Sequence, residues 1–138
     1  PAAILTSDAD AIEAAHTLAR AAEVGAIQRD RERRLPWELV ERFTASGLGS
    51  IAVPRAFGGP QLSYVTIAEV FRIISAVDPA LGQIPQNHFG LLGLLHAAAS
   101  PAQQQRLFAS VLAGWPAGAS ATAARSAAAS TPWIFRHG

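Results

Sequence analysis

The chain is punctuated by residues that start and stop helices, and the stretches between them carry apolar residues three and four apart. Ser7 followed by Asp10 is a capping-box variant, and Ser100-Pro101 is a cap and first-turn pair. Pro36, Ser63 and Asp78-Pro79 mark three further starts. The first helix presents Ile12, Ala15, Ala19, Ala22 and Ala26 on one face and runs on into Arg29-Asp30-Arg31-Glu32-Arg33-Arg34. The second buries Trp37, Leu39, Val40 and Phe43 and stops where Gly47 can take a left-handed conformation. The third, Tyr64 to about Val77, has Ile67, Val70, Ile73 and Ile74 on one side. Val65, Ala68, Phe71 and Ser75 lie on another, and a helix apolar on most sides is expected to be central. The fourth, Ala80 to Ala98, contains Pro85, which should kink it or mark its start, and Gly82, Gly90 and Gly93. The fifth, to about Ala113, carries Leu107, Phe108, Val111 and Leu112. No region reads as strand-rich. The expectation is an all-α domain of about five helices over residues 1–114, with an irregular tail over 115–138.

Composition narrows the function classes. At 138 residues, half of them apolar, the chain is one domain with enough material for a core. Charged residues are only 15%, against about 25% in ordinary soluble domains. Either some surface is covered by something outside this sequence, or the chain is simply alanine-rich. Net charge is +1, and all eleven basic residues are Arg. That balance leaves no electrostatic footprint for nucleic acid or a membrane surface. The acids interleaved in Arg29 to Arg34 make that run a solvated helix end rather than a basic patch. Cysteine is absent, so disulfides and thiolate chemistry are excluded. The most apolar run, Phe89 to Ala99, contains His96 and is too short to span a bilayer. Pro1 to Ser7 has no signal-peptide character, so a cytoplasmic location is the default expectation. No carboxylate pair, metal-ligand spacing or phosphate-binding glycine motif occurs.

Two segments carry a specific resemblance. Gly47-Leu48-Gly49-Ser50-Ile51-Ala52-Val53-Pro54-Arg55-Ala56-Phe57-Gly58-Gly59 resembles the connection in the N-terminal domain of acyl-CoA dehydrogenases: a helix ending in Gly-Leu, a Val-Pro, then an aromatic-Gly-Gly. Ser75-Ala76-Val77-Asp78-Pro79-Ala80-Leu81-Gly82-Gln83-Ile84-Pro85-Gln86-Asn87-His88-Phe89 is most similar to the sulfur-acquisition oxidoreductases of that superfamily, relatives of the flavin-dependent dibenzothiophene monooxygenases. Asp30 to Pro36 fits the same subgroup, and the likeness covers about residues 7 to 114.

The resemblance implies an orthogonal helical bundle that is one part of a three-part, homo-oligomeric enzyme. A middle β-domain and a C-terminal helical domain would complete it and hold most of the FAD or FMN. The substrate would be an acyl-CoA or an organosulfur compound. The helical domain would close one side of the pocket and be inactive alone. It also implies that His88 faces the flavin, where an imidazole can hydrogen-bond and move a proton near neutral pH. Read from the residues alone, His88 is more simply a histidine packed on an apolar helix. Gln83, Gln86 and Asn87 either line the pocket or cap the break at Pro85, with Phe89 beside them. His96 reads as structural, and His16 as a solvent-facing or packing residue.

Trp115-Pro116-Ala117-Gly118-Ala119-Ser120 departs from the family's Gly-Asn-Ala continuation. Codons permitted by Ala124 to Gly138 let a neighbouring frame encode Glu-Ile-Gly-Gly-Arg-Gln-His-Ala-Leu-Asp-Leu-Ser-Thr-Arg, which looks like that continuation. The tail is therefore expected to be frame-shifted and unpacked. Two other functions compete: a self-sufficient helical binding or scaffold module, and a small enzyme built on His88. No activating partner for His88 is visible in the sequence.

Overall fold

A computed structural model describes residues 2–114. The tail, with its frame-shift expectation, lies outside the described residues. Among those described there are six α-helices and two 3₁₀ turns, and no strand.

Helix α1 (Asp8–Glu23) begins on the capping box that Ser7 and Asp10 suggest. Asp10 N donates to Ser7 Oγ at 3.1 Å, and Ser7 N donates back to Asp10 Oδ2 at 3.0 Å. The Ser7 hydrogen bond first, then those from Thr6, hold the Asp10 carboxyl below the usual carboxylate range. The buried face of α1 is Ala11, Ala15, Leu18, Ala19 and Ala22. Four of these five are alanine, so a neighbour can come close.

The first helix is shorter than the periodicity suggests. Gly25 sits at φ +77°, a left-handed conformation that ends α1, and a separate turn of helix follows as α2 (Ala26–Arg31). Apolar spacing continues to Ala26 across this break, so the pattern hid it. Helix α3 (Trp37–Ala45) buries Leu39 and Phe43. Trp37, expected in its buried face, is 53% exposed; Pro36 takes the buried cap position instead. Gly47 closes the helix at φ +83°, where a Cβ would collide with the backbone of Ala3.

The connection that follows is buried without forming a strand. Its 3₁₀ turns are Leu48–Ser50 and Arg55–Phe57. Leu48, Ile51 and Val53 are fully buried, and Leu62 N→Ile51 O (2.8 Å) and Gln61 N→Val53 O (3.0 Å) satisfy the returning backbone.

Helix α4 (Tyr64–Ser75) is capped by Ser63, whose Oγ accepts from Thr66 N at 3.2 Å. It buries Thr66, Ile67, Val70, Ile73 and Ile74 and packs between α1 and the fourth long segment. Its second apolar side is only partly used: Phe71 is half-buried, while Val65 and Ala68 are exposed.

Helix α5 (Pro79–Ala98) runs unbroken through Pro85, which is buried. Asp78 caps it, with Oδ1 accepting from Leu81 N at 3.0 Å. Helix α6 (Pro101–Leu112) starts on the Ser100–Gln103 capping box. Gln104 Nε2 donates to the carbonyls of Leu95, His96 and Ala99 at 3.0 to 3.2 Å, tying off the end of α5. Phe108 and Val111 pack with Leu92 and Val53 in a second, smaller core.

The glycines of α5 divide by environment. A Cβ on Gly82 would collide with Ser75 of α4, whereas one on Gly90 or Gly93 would meet nothing within 4 Å. Gly82→Ala should therefore destabilise the chain by about 1–3 kcal/mol. Gly90→Ala should stabilise it by about 0.5–1 kcal/mol. Urea unfolding of the two variants checks the opposite signs.

Candidate functional site

Helix α5 is where the sequence placed the site residues, and its two sides differ. Leu81, Gly82, Pro85 and Leu92 face the cores. Residues at three- and four-step spacing on the far side, Gln83, Asn87, Gly90 and Leu94, are exposed, and Ile84 and Leu91 flank them. Leu94 is 62%, Leu91 49% and Ile84 42% exposed. The result is an apolar stripe carrying amide side chains and interrupted by glycine. Gln83 Nε2 donates to Gln86 Oε1 at 2.6 Å, so these two amides bond each other along the helix surface.

His88 stands at the edge of this stripe and is half-buried. Its Nε2 lies 2.6 Å from the carbonyl of Gly49. A carbonyl only accepts, so this contact places the ring proton on Nε2. Phe89 turns inward, edge-on to Phe71 with ring centroids 5.5 Å apart, and packs against both cores. Of the residues singled out from the sequence, Gln83, Gln86 and Asn87 share the exposed surface. His88 lies at its margin and Phe89 behind it. His16 and His96 are exposed; His96 has its ring 6.5 Å from Phe108.

The cavity beside His88, lined by Thr44, Gly47, Gly49, Ser50 and Val111 among others, measures about 10 Å³, room for about one water. A larger groove of about 470 Å³ lies along α2 and is lined by Glu23, Gln28, Arg31 and Glu32, with no residue from α5. Among the described residues no three His, Cys, Asp or Glu side chains come together as a metal site. None of the helices there is long and apolar enough to cross a membrane.

One organising residue was not foreseen. Arg29, first of the run read as solvated, turns inward. Its guanidinium reaches Asp78 Oδ2 at 2.8 Å, the Val24 carbonyl at 2.7 Å and the Ala22 carbonyl. The side chains of Arg29 and Asp78 are 17% and 8% exposed. The one sequence signal was Asp78 itself, a carboxylate set between the apolar ends of two helices.

A model of the acyl-CoA dehydrogenase N-terminal domain matches residues 9–115. The chain belongs to that family. Within it, the chain is 36% identical over 98 residues to a dibenzothiophene monooxygenase of Mycolicibacterium goodii, covering 71% of this chain and 24% of that protein. Dibenzothiophene monooxygenases of Rhodococcus erythropolis and Rhodococcus qingshengii are each 31% identical over 105 residues, covering 76% of this chain and 25% of theirs. The chain thus spans about a quarter of the length of the curated relatives it matches. No solved structure gives a significant match. For this acyl-CoA dehydrogenase N-terminal domain, the all-α bundle and the superfamily likeness read from the sequence both hold.

Adjacent leucines on α5 test which side is outside. Leu91→Ser should change stability by no more than about 0.5 kcal/mol and lower the binding of a hydrophobic dye. Leu92→Ala, in the second core, should cost about 2–5 kcal/mol. Equal losses in denaturant unfolding would place both leucines inside.

Proposed function

We propose that the outer face of α5 is one wall of the flavin and substrate pocket of a flavin-dependent oxidoreductase. The reaction class is organosulfur monooxygenation or, less closely supported by the relatives, acyl-CoA dehydrogenation. The rest of the pocket comes from a middle β-domain and a C-terminal helical domain, in a homo-oligomer working in the cytoplasm. The observation that carries this is the exposed stripe of Ile84, Leu91 and Leu94, with Gln83 and Asn87 on it and Gly90 in open space. An aliphatic surface with amide groups and no charge fits a planar ring system. It supplies contact and hydrogen bonds for one side of such a group.

The flavin, when bound, supplies the redox chemistry. The residues of this chain bind, orient and exclude water. Ile84, Leu91 and Leu94 present apolar area to the ring or to an apolar substrate. Gln83 and Asn87 each offer donor and acceptor atoms at the surface. His88, expected from the resemblance to face the flavin, has Nε2 on Gly49. This favours the amides as the polar groups of the wall.

Titration with FAD and with FMN, followed by flavin absorbance, tests the reading. The protein carried on through the downstream domains should bind one of them. Leu91→Arg in that protein should weaken binding by at least about tenfold, because it sets a charge in an apolar contact. The present chain alone should bind neither. Stoichiometric binding and turnover by the present chain, or an unaffected Leu91→Arg, would contradict it.

A further inference from the structure

Pro85 sits in the middle of the segment that carries Gln83, Ile84, Gln86 and Asn87. A proline there removes the hydrogen bond that its N–H would give to the Leu81 carbonyl, and interior prolines ordinarily kink a helix. The site-bearing turn is thus the intrinsically weak turn of α5. On each side of it the structure places a long-range polar clamp. On the N-terminal side, Arg29 holds Asp78 at 2.8 Å, and Asp78 in turn accepts from Leu81 N at 3.0 Å. The same guanidinium binds the Ala22 and Val24 carbonyls, so the end of α1 and the start of α5 are joined through one side chain. On the C-terminal side, His88 Nε2 donates at 2.6 Å to Gly49, 39 positions away in the chain. Gly49 belongs to the turn after Gly47, whose left-handed conformation and close approach to Ala3 leave it little freedom.

We propose that Arg29 and His88 are positioning residues. They pin α5 on both sides of Pro85, so that the outer face at Gln83 and Asn87 keeps one orientation. Arg29 acts through Asp78, and His88 through the Gly49 carbonyl. Both bonds tie α5 to other helices or turns, and the Arg29–Asp78 pair is buried enough to escape most solvent screening. The value of the clamps to a pocket rests on the reading of α5 as its wall; their mechanical effect does not.

Amide hydrogen exchange on the present chain, without flavin, tests the effect by itself. His88→Leu should speed exchange across residues 82–90 by about tenfold, the change expected from losing one strong hydrogen bond, and Arg29→Met, which loses three and leaves Asp78 buried without its cation, should speed it by more. The core amides of α1 and α4 should speed up less than those of residues 82–90 in both variants. Two conservative variants separate clamping from bulk. Asp78→Asn keeps the helix cap but loses the ion pair, and should exchange like Arg29→Met. His88→Gln offers an N–H donor in place of Nε2, and should exchange like the wild type. The proposal is overturned if residues 82–90 keep their protection in Arg29→Met and His88→Leu, or if protection falls equally in every helix. If His88→Leu does not fold, His88→Gln decides, and loss of protection at residues 82–90 in that variant overturns the proposal. A flavin-binding failure with these exchange results intact would count against the wall reading and not against the clamps.

Discussion

Apolar burial along α4 is what α1 and α5 lean on. Ile67, Val70, Ile73 and Ile74 are buried in one core with residues of α1 and α5, and each contributes about 1.5–3 kcal/mol by leaving water. Both partners are cut to fit this ridge. Helix α1 meets it with a face made mainly of alanine, and α5 meets it with Gly82 over Ser75. That geometry fixes which side of α5 is inside. With Leu81, Pro85 and Leu92 committed to the cores, Ile84, Leu91 and Leu94 are left pointing away. An apolar helix used on one side only is the consequence of a small bundle with a single central ridge.

The polar groups follow the same plan. Asp78 is buried because it ends the short link between α4 and α5, and a buried carboxylate needs partners. It finds the Leu81 amide and the Arg29 guanidinium. Removing either charge would leave the other in a low-dielectric site, which is costlier than never having built the pair. His88 and Gln104 do similar work further along the helix, the first for the Gly49 carbonyl and the second for the last carbonyls of α5.

Much of this was legible in the sequence, and the failures have causes. The starts at Ser7, Ser63, Asp78-Pro79 and Ser100-Pro101 are local chemistry, and all four cap helices. The break at Gly25 was hidden because alanine spacing continues through it. Trp37 was misplaced because periodicity reports a face but not which end of it reaches the core. Arg29 was unreadable in a run of alternating charges, since only the fold brings it to Asp78, 49 positions later in the chain. Gln83, Gln86, Asn87, His88 and Phe89 were singled out as a contiguous segment. A helix distributes such a segment around its axis, so the three amides lie outside, while His88 and Phe89 are both half-buried, His88 bonded to Gly49 and Phe89 packed toward the cores.

The outer face of α5 is the proposed wall against the flavin or its substrate. A structure of the protein continued through its downstream domains, with flavin bound, tests it most directly. Side-chain atoms of Asn87 and of Leu91 or Leu94 should lie in van der Waals contact, within about 4 Å, with the ring system or the substrate beside it. A flavin seated elsewhere, with the outer face of α5 open to solvent, would contradict it.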